Sequence, residues 1–134
     1  MTGNEYQEQA MRTNDGHAQD RLEKRISYSG FYLTYNGKAK KKDVAGLING
    51  LMGLSGEAGE LTDLFKKWIF HNAPLDEEHA KKEVGDVCWY IAMICHSMGW
   101  NLSEIMQMNI DKLKARYPEG FDTEKSNHRK EGDV

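Results

Sequence analysis

The chain has 134 residues, the length of one ordinary domain, and 39% of them are apolar with only two prolines, which suits a compact helical unit. A formal net charge of −3 argues against a non-specific nucleic-acid binder, which carries a basic surface, and means that an anionic substrate would need local cations or bound metal. The polar start MTGNEYQEQAMRT lacks the apolar core of a secretory signal, and the longest apolar-rich stretch, Val87 to Cys95, falls far short of the about 20 residues that span a bilayer.

Taken in chain order, a first helix is expected from about Glu5 to Thr13, with Tyr6, Ala10 and Met11 as its apolar stripe. Arg21 to Ile26 can extend a helix. Ser27 to Gly37 is aromatic and turn-rich, and reads equally as a hairpin or an ordered loop. Lys38 to Lys42, KAKKK, reads first as a solvated loop and second as a phosphate-steering one. Asp43 is a candidate N-cap for a second helix running to about Phe70, and Asn72-Ala73-Pro74 breaks the pattern. Asp76 caps a third helix, with Glu77 and Glu78 in the first turn where the helix dipole favours them. Gly99 suits the left-handed position after that helix. Asn101 followed by Glu104 is a capping box for a fourth helix, which stops at Tyr117-Pro118 because proline disfavours helix at the residue before it. Residues 1–121 are expected to form a single domain and 122–134 a polar tail. The fold class is all-α, a bundle of about four helices with a loop or short hairpin before the second.

Cys88 and Cys95 both fall on the third helix, where seven residues separate them by roughly 10 Å, beyond the about 7 Å that a disulfide tolerates. Reduced thiols suit a cytoplasmic protein, with no membrane or nucleic-acid partner expected.

On a helical wheel the second helix shows two faces. Leu47, Leu51, Leu54, Ala58, Leu61, Phe65 and Ile69 form an ordinary core stripe. The other face carries Gly46, Asn49, Gly50, Gly53, Glu57, Glu60, Leu64 and Lys67, and each helical glycine costs up to about 1 kcal/mol against alanine. Glycine permits a helix or a ligand to approach the backbone, which offsets that cost. Glu57 and Glu60 are three apart and share this face; Glu83 and Asp86 repeat the spacing on the third helix. Four converging carboxylates repel and raise one another's pKa, and a hard divalent cation, Mg²⁺ or in its place Mn²⁺, removes that conflict. A di-iron site would put histidine at the fourth position of each motif, where none stands. His79, four before Glu83, reads as a surface histidine.

Gly56-Glu57-Ala58-Gly59-Glu60 and Glu83-Val84-Gly85-Asp86-Val87, with 22 residues between the two acidic pairs, resemble the ExxE and ExxD motifs of the MazG-like nucleoside triphosphate pyrophosphohydrolases. That is the all-α NTP pyrophosphatase superfamily, which includes the dimeric dUTPases and dCTP pyrophosphatases. The likeness extends through Leu47 to Gly53, Lys66 to His71, Asn109 to Leu113 and Arg116 to Phe121, and the opening Tyr6 to Thr13 is similar to single-domain phage-type members. Lys82 and Gly56 stand where many or some members have glutamate, and residues 14–42 are longer than the link in short members.

The resemblance implies Mg²⁺-dependent hydrolysis of a nucleoside triphosphate, standard or not, to monophosphate and pyrophosphate, in a homodimer or homotetramer. It implies metal on Glu57, Glu60, Glu83 and Asp86, with either Glu57 or Glu60 activating water. Asn109, Lys112 and Arg116 recur at three and four, so they share a helix face suited to phosphates. Tyr90 and Lys67 are further substrate contacts in this reading, with Tyr90 equally a core residue. Two alternatives stay open: a metal hydrolase acting on another phosphate anhydride, and a non-enzymatic helical interaction module.

Overall fold

The computed structural model of the chain describes residues 1–26, 31–35 and 38–127. They fall into two compact units, Met1–Ala45 and Gly46–Val134. The helical fold class is as expected, with one pair of short strands as its exception among the described residues.

In the first unit, helix α1 spans Gly3–Met11 and α2 spans Ala18–Ile26. The first starts two residues earlier than expected because Thr2 and Glu5 form a capping box: the Thr2 hydroxyl accepts from the Glu5 amide at 3.2 Å, and the Glu5 carboxylate accepts from the Thr2 amide. Ahead of α2, Asp15 takes two bonds from the Arg21 guanidinium, at 2.6 and 2.9 Å. Strand β1, Phe31–Tyr35, pairs antiparallel with β2, Lys38–Lys42, so that Phe31 stands opposite Lys42 and Tyr35 opposite Lys38. Of the two readings of Ser27 to Gly37, the paired strand is the one formed; residues 27–30 and 36–37 lie outside the described residues. KAKKK is therefore a strand rather than a solvated loop. Pairing satisfies the backbone groups that face β1, and a lysine-rich edge discourages further strand addition.

Helix α3, Val44–Phe70, begins in the last two residues of the first unit and otherwise lies in the second, which also carries α4, Glu77–Met98, α5, Leu102–Arg116, and α6, Thr123–Asn127. The expected stops are physical ones. The Asp76 side chain accepts from the His79 amide at 2.9 Å and caps α4. Gly99 ends it at φ 64°, a left-handed conformation that favours glycine. Asn101 caps α5 by accepting from the Ser103 and Glu104 amides at 2.9 and 3.3 Å. Tyr117 closes α5 immediately before Pro118. The tail is helical over 123–127, and residues 128–134 lie outside the described residues.

Helices α3 and α4 run antiparallel: Gly50 meets Ile94, Gly53 meets Tyr90 and Glu57 comes near Glu83, so partner numbers fall as α3 numbers rise. The contact face of α3 is the glycine face. Gly46 and Gly50 are buried, whereas Leu51, Phe65 and Ile69 of the expected core stripe are exposed, Leu51 at 50%. The assignment of the stripe to the chain's own core is corrected at these positions, while Leu47, Leu54 and Leu61 are half-buried; the flat glycine surface is the one that admits α4. Apolar side chains buried within the chain are few, namely Ala80, Cys95 and Met98 among the described residues.

A Cβ on Gly50 would stand 2.8 Å from Cγ1 of Ile94, and one on Gly53 would run into the Tyr90 ring; one on Gly85 would meet nothing within 4 Å. Gly50→Ala is therefore expected to lower stability by about 1–3 kcal/mol through overpacking, despite alanine's better helix propensity. Gly85→Ala should raise it by about 0.4–1 kcal/mol. Chemical denaturation of both variants checks the pair; equal effects would contradict a contact face on Gly50.

Candidate metal centre

The register set at Gly50 and Gly53 carries on toward the C-terminal half of α3. One turn beyond Gly53, Glu57 comes beside Glu83 of α4, with carboxylate oxygens of the two within 4.8 Å of each other. Glu60 lies three residues further along α3 on the same face. Glu57, Glu60 and Glu83 each offer a carboxylate oxygen, and these three atoms all lie within 4.8 Å of one another. Burial is graded across the set: Glu83 is 6% exposed, Glu57 half-buried and Glu60 exposed. Asp86 is exposed and outside that triad, yet its charge reaches Glu57. The ExxE and ExxD residues are thus brought into one region, with three in ligating proximity.

The electrostatics follow from this crowding. The Glu57 carboxyl is pushed above its ordinary value, first by burial, then by the hydrogen bond with Glu83, then by the charges of Glu60, Asp86 and Glu83. Just outside the acidic triad the sign reverses. Asp63 accepts from Lys66 at 2.7 Å and from Lys67 at 2.6 Å, and these bonds, Lys66 first, draw its carboxyl down to about 2. A cavity of about 310 Å³ opens over the site. Gly56, Gly59, Glu60, Asp63, Leu64 and Lys67 line it from α3, and His79 and Glu83 from α4. Glycines at two of these positions leave room where side chains would fill the cavity.

Of the other residues expected at the site, Lys67 lines the cavity and is paired to Asp63. Tyr90 sits with its ring on Gly53 and edge-on to Trp89, 4.9 Å between centroids, which makes it a packing residue at the helix crossing. Asn109 and Lys112 are exposed on α5, and the Arg116 guanidinium lies 5.9 Å from the Tyr117 ring centroid; none of the three lines this cavity. One participant reads differently from its sequence. His79 is exposed, as expected of a surface histidine, yet its Nε2 lies 2.7 Å from Oε1 of Glu83 and it lines the cavity. The signal that finds it is the i,i+4 spacing on a helix, where side chains lean toward the N-terminus and Glu83 reaches back to residue 79.

The donor set fits a hard cation. It consists of oxygens alone, within 4.8 Å of one another, and the crowded carboxylates otherwise repel. Among the described residues no helix is long and apolar enough to cross a membrane.

Comparison with known proteins agrees with the geometry. Residues 48–121 match the MazG nucleotide pyrophosphohydrolase domain, a stretch that contains the whole acidic constellation. The chain is also similar to the Gene 37 protein of Mycobacterium phage L5, 32% identical over 90 residues that cover 64% of this chain and 79% of that protein. No solved structure matches it. The chain belongs to the MazG nucleotide pyrophosphohydrolase domain family.

Two opposite pH effects are expected. The folded-state value of Glu57 is raised, so its contribution to stability is present below its unfolded value and lost as pH rises through the folded one. That of Asp63 is lowered, so its contribution is present above the unfolded value and lost as pH falls toward 2. In metal-free protein, melting temperature should therefore decline with rising pH above the ordinary glutamate value of 4.5 more steeply in wild type than in Glu57→Gln. Parallel profiles in the two proteins would count against the crowded carboxyl.

Proposed function

We propose that this MazG-family chain hydrolyses a nucleoside triphosphate, standard or non-standard, to monophosphate and pyrophosphate, using Mg²⁺ held by Glu57, Glu60, Glu83 and Asp86. The observation that carries this reading is the triad of carboxylate oxygens within 4.8 Å, with its perturbed Glu57, beneath a cavity on a family-matched segment. Asp86 joins as a fourth ligand: it follows Glu83 by three residues on α4 and already influences Glu57.

When bound, the cation supplies charge neutralisation and orientation for the phosphate chain and the attacking water. The protein supplies the rest. Glu60, exposed and lining the cavity, is better placed than Glu57 to take the proton of that water. The Lys67 ammonium, fixed by Asp63, stands on the cavity wall as a donor to a phosphate oxygen. Asn109, Lys112 and Arg116 extend this role along α5, since a cavity of about 310 Å³ is at the small end for a ligand site and a nucleotide would reach beyond it. Tyr90 bears on the site by fixing the crossing of α3 and α4.

With Mg²⁺ and a panel of canonical, deoxy and modified triphosphates, the expected products are a nucleoside monophosphate and pyrophosphate. Release of orthophosphate alone would overturn the reading and favour another phosphate anhydride. Glu60→Gln and Asp86→Asn should each lower turnover at least 100-fold and weaken Mg²⁺ binding in calorimetry. Unchanged binding in both would leave the helical interaction module as the better account.

The protein acts, in the same reading, as a cytoplasmic homodimer or homotetramer. Apolar stripes stand open on three helices: Leu51, Phe65 and Ile69 on α3, Val84, Cys88 and Ile91 on α4, and Met106, Ile110 and Leu113 on α5. Exposed apolar surface of that extent marks an interaction face, and the few apolar residues buried within the chain make self-association the natural cover. Light scattering should give at least twice the chain mass of 15.3 kDa. Leu51→Glu is expected to shift it toward monomer with a large loss of stability; a monomeric, stable wild type would refute the assembly.

A further inference from the structure

Glu83 is the most enclosed member of the acidic triad at 6% exposure, so water satisfies little of its hydrogen-bonding capacity. A carboxylate in that position needs donors from the protein. Among the described residues two groups reach it: Nε2 of His79 at 2.7 Å from Oε1, and the Glu57 carboxyl. The second is no partner in a loaded site, because a carboxylate that ligates a cation has no hydrogen to give. His79 is then the donor that remains.

We propose that His79 is a positioning residue of the metal centre, whose Nε2–H holds Oε1 of Glu83 and leaves the other carboxylate oxygen to the cation. The inference rests on the metal reading given above. It extends that reading by one residue outside both acidic motifs.

The local structure supports it. His79 occupies the first turn of α4, its amide tied to the Asp76 cap at 2.9 Å, so its backbone is fixed before its side chain acts. Glu83 follows one turn later, and its side chain leans back toward the N-terminus, to residue 79. The imidazole is half exposed and lines the cavity, so no packing requirement explains why histidine stands there. Partners of this kind fix the orientation of metal-ligating side chains, and losing one typically costs about 10–100-fold in metal affinity.

Calorimetry of Mg²⁺ binding to the full chain, in the absence of substrate, tests this with three variants. His79→Ala should weaken binding by about 10–100-fold, with the melting temperature of the metal-free protein little changed. His79→Gln should recover most of the loss, because its amide nitrogen stands the same three bonds from Cβ as Nε2 of histidine. In the steady state the Mg²⁺ concentration for half-maximal rate should rise in His79→Ala while turnover at saturating Mg²⁺ stays within a few-fold. Wild-type affinity in His79→Ala would overturn the proposal. So would a glutamine variant as weak as the alanine one, or a loss of affinity matched by a loss of metal-free stability. Glu83→Gln separates the two levels of failure: a wild type that binds no Mg²⁺, or a Glu83→Gln variant that binds as wild type, removes the metal reading itself rather than the role of His79.

Discussion

The close approach of α3 and α4 over Gly50 and Gly53 is the constraint on which the site depends. Helices normally pack with axes about 8–10 Å apart, held off by the side chains at the crossing. Here Ile94 and Tyr90 lie directly on the glycine backbone, where even a Cβ would collide. Everything downstream on the two helices inherits that spacing. One turn further along α3, residues of opposite helices meet not through aliphatic chains but through the carboxyl groups of Glu57 and Glu83. The helical penalty of the glycines, up to about 1 kcal/mol each, is the cost of that proximity. The same glycine spacing would be wasted in a helix pair built only for stability.

That proximity creates an electrostatic conflict which the chain does not resolve by itself. Glu57 is held in a state that resists ionisation, and its neighbours Glu60, Glu83 and Asp86 all act in the same direction. Nearby lysines do not relieve it, because Lys66 and Lys67 are both engaged by Asp63. The arrangement keeps cationic side chains out of the triad while leaving Lys67 on the cavity wall. A site neutralised internally by lysine would have little use for a divalent ion; this one retains its unbalanced charge. With a net charge of −3, the protein has the same need on the larger scale when its substrate is a polyanion.

Much of this was legible in the residues, and what was not has identifiable causes. Helix ends marked by Asp76, Gly99, Asn101 and Pro118 were readable because each answers a local backbone requirement. The acidic pairs were readable because an i,i+3 spacing fixes a shared face. The glycine face was visible too, but its meaning was divided between ligand and helix; it serves α4 at Gly50 and the cavity at Gly56 and Gly59. The leucine stripe of α3 misled, since periodicity shows that a face is apolar and not what covers it. KAKKK gave no sign of strand pairing because lysine has little intrinsic preference for it, and the pairing comes from the aromatic segment before it. His79 was passed over because its value lies in a neighbour's burial, which spacing does not reveal. The positions of Asn109, Lys112 and Arg116 away from the cavity were equally beyond a wheel, which shows a shared face but not its direction.

The two faces of α3 connect the site to assembly. The glycine face and the leucine stripe lie about 100° apart on the helix, so one helix is gripped by α4 on one side and, in the proposed oligomer, by another copy on the other. Few apolar side chains are buried within the isolated chain, which leaves α3 little else to hold it in place. Its position at Gly53 sets the distance from Glu57 to Glu83. Association that buries Leu51, Phe65 and Ile69 therefore also steadies the carboxylates, although none of those three residues touches them. By linkage the converse would hold in that reading: a cation drawing Glu57, Glu60 and Glu83 together would fix the two helices whose outer faces are proposed as the contact. In the proposed reading, metal binding and self-association would be coupled through a single helix, each favouring the other without any shared side chain.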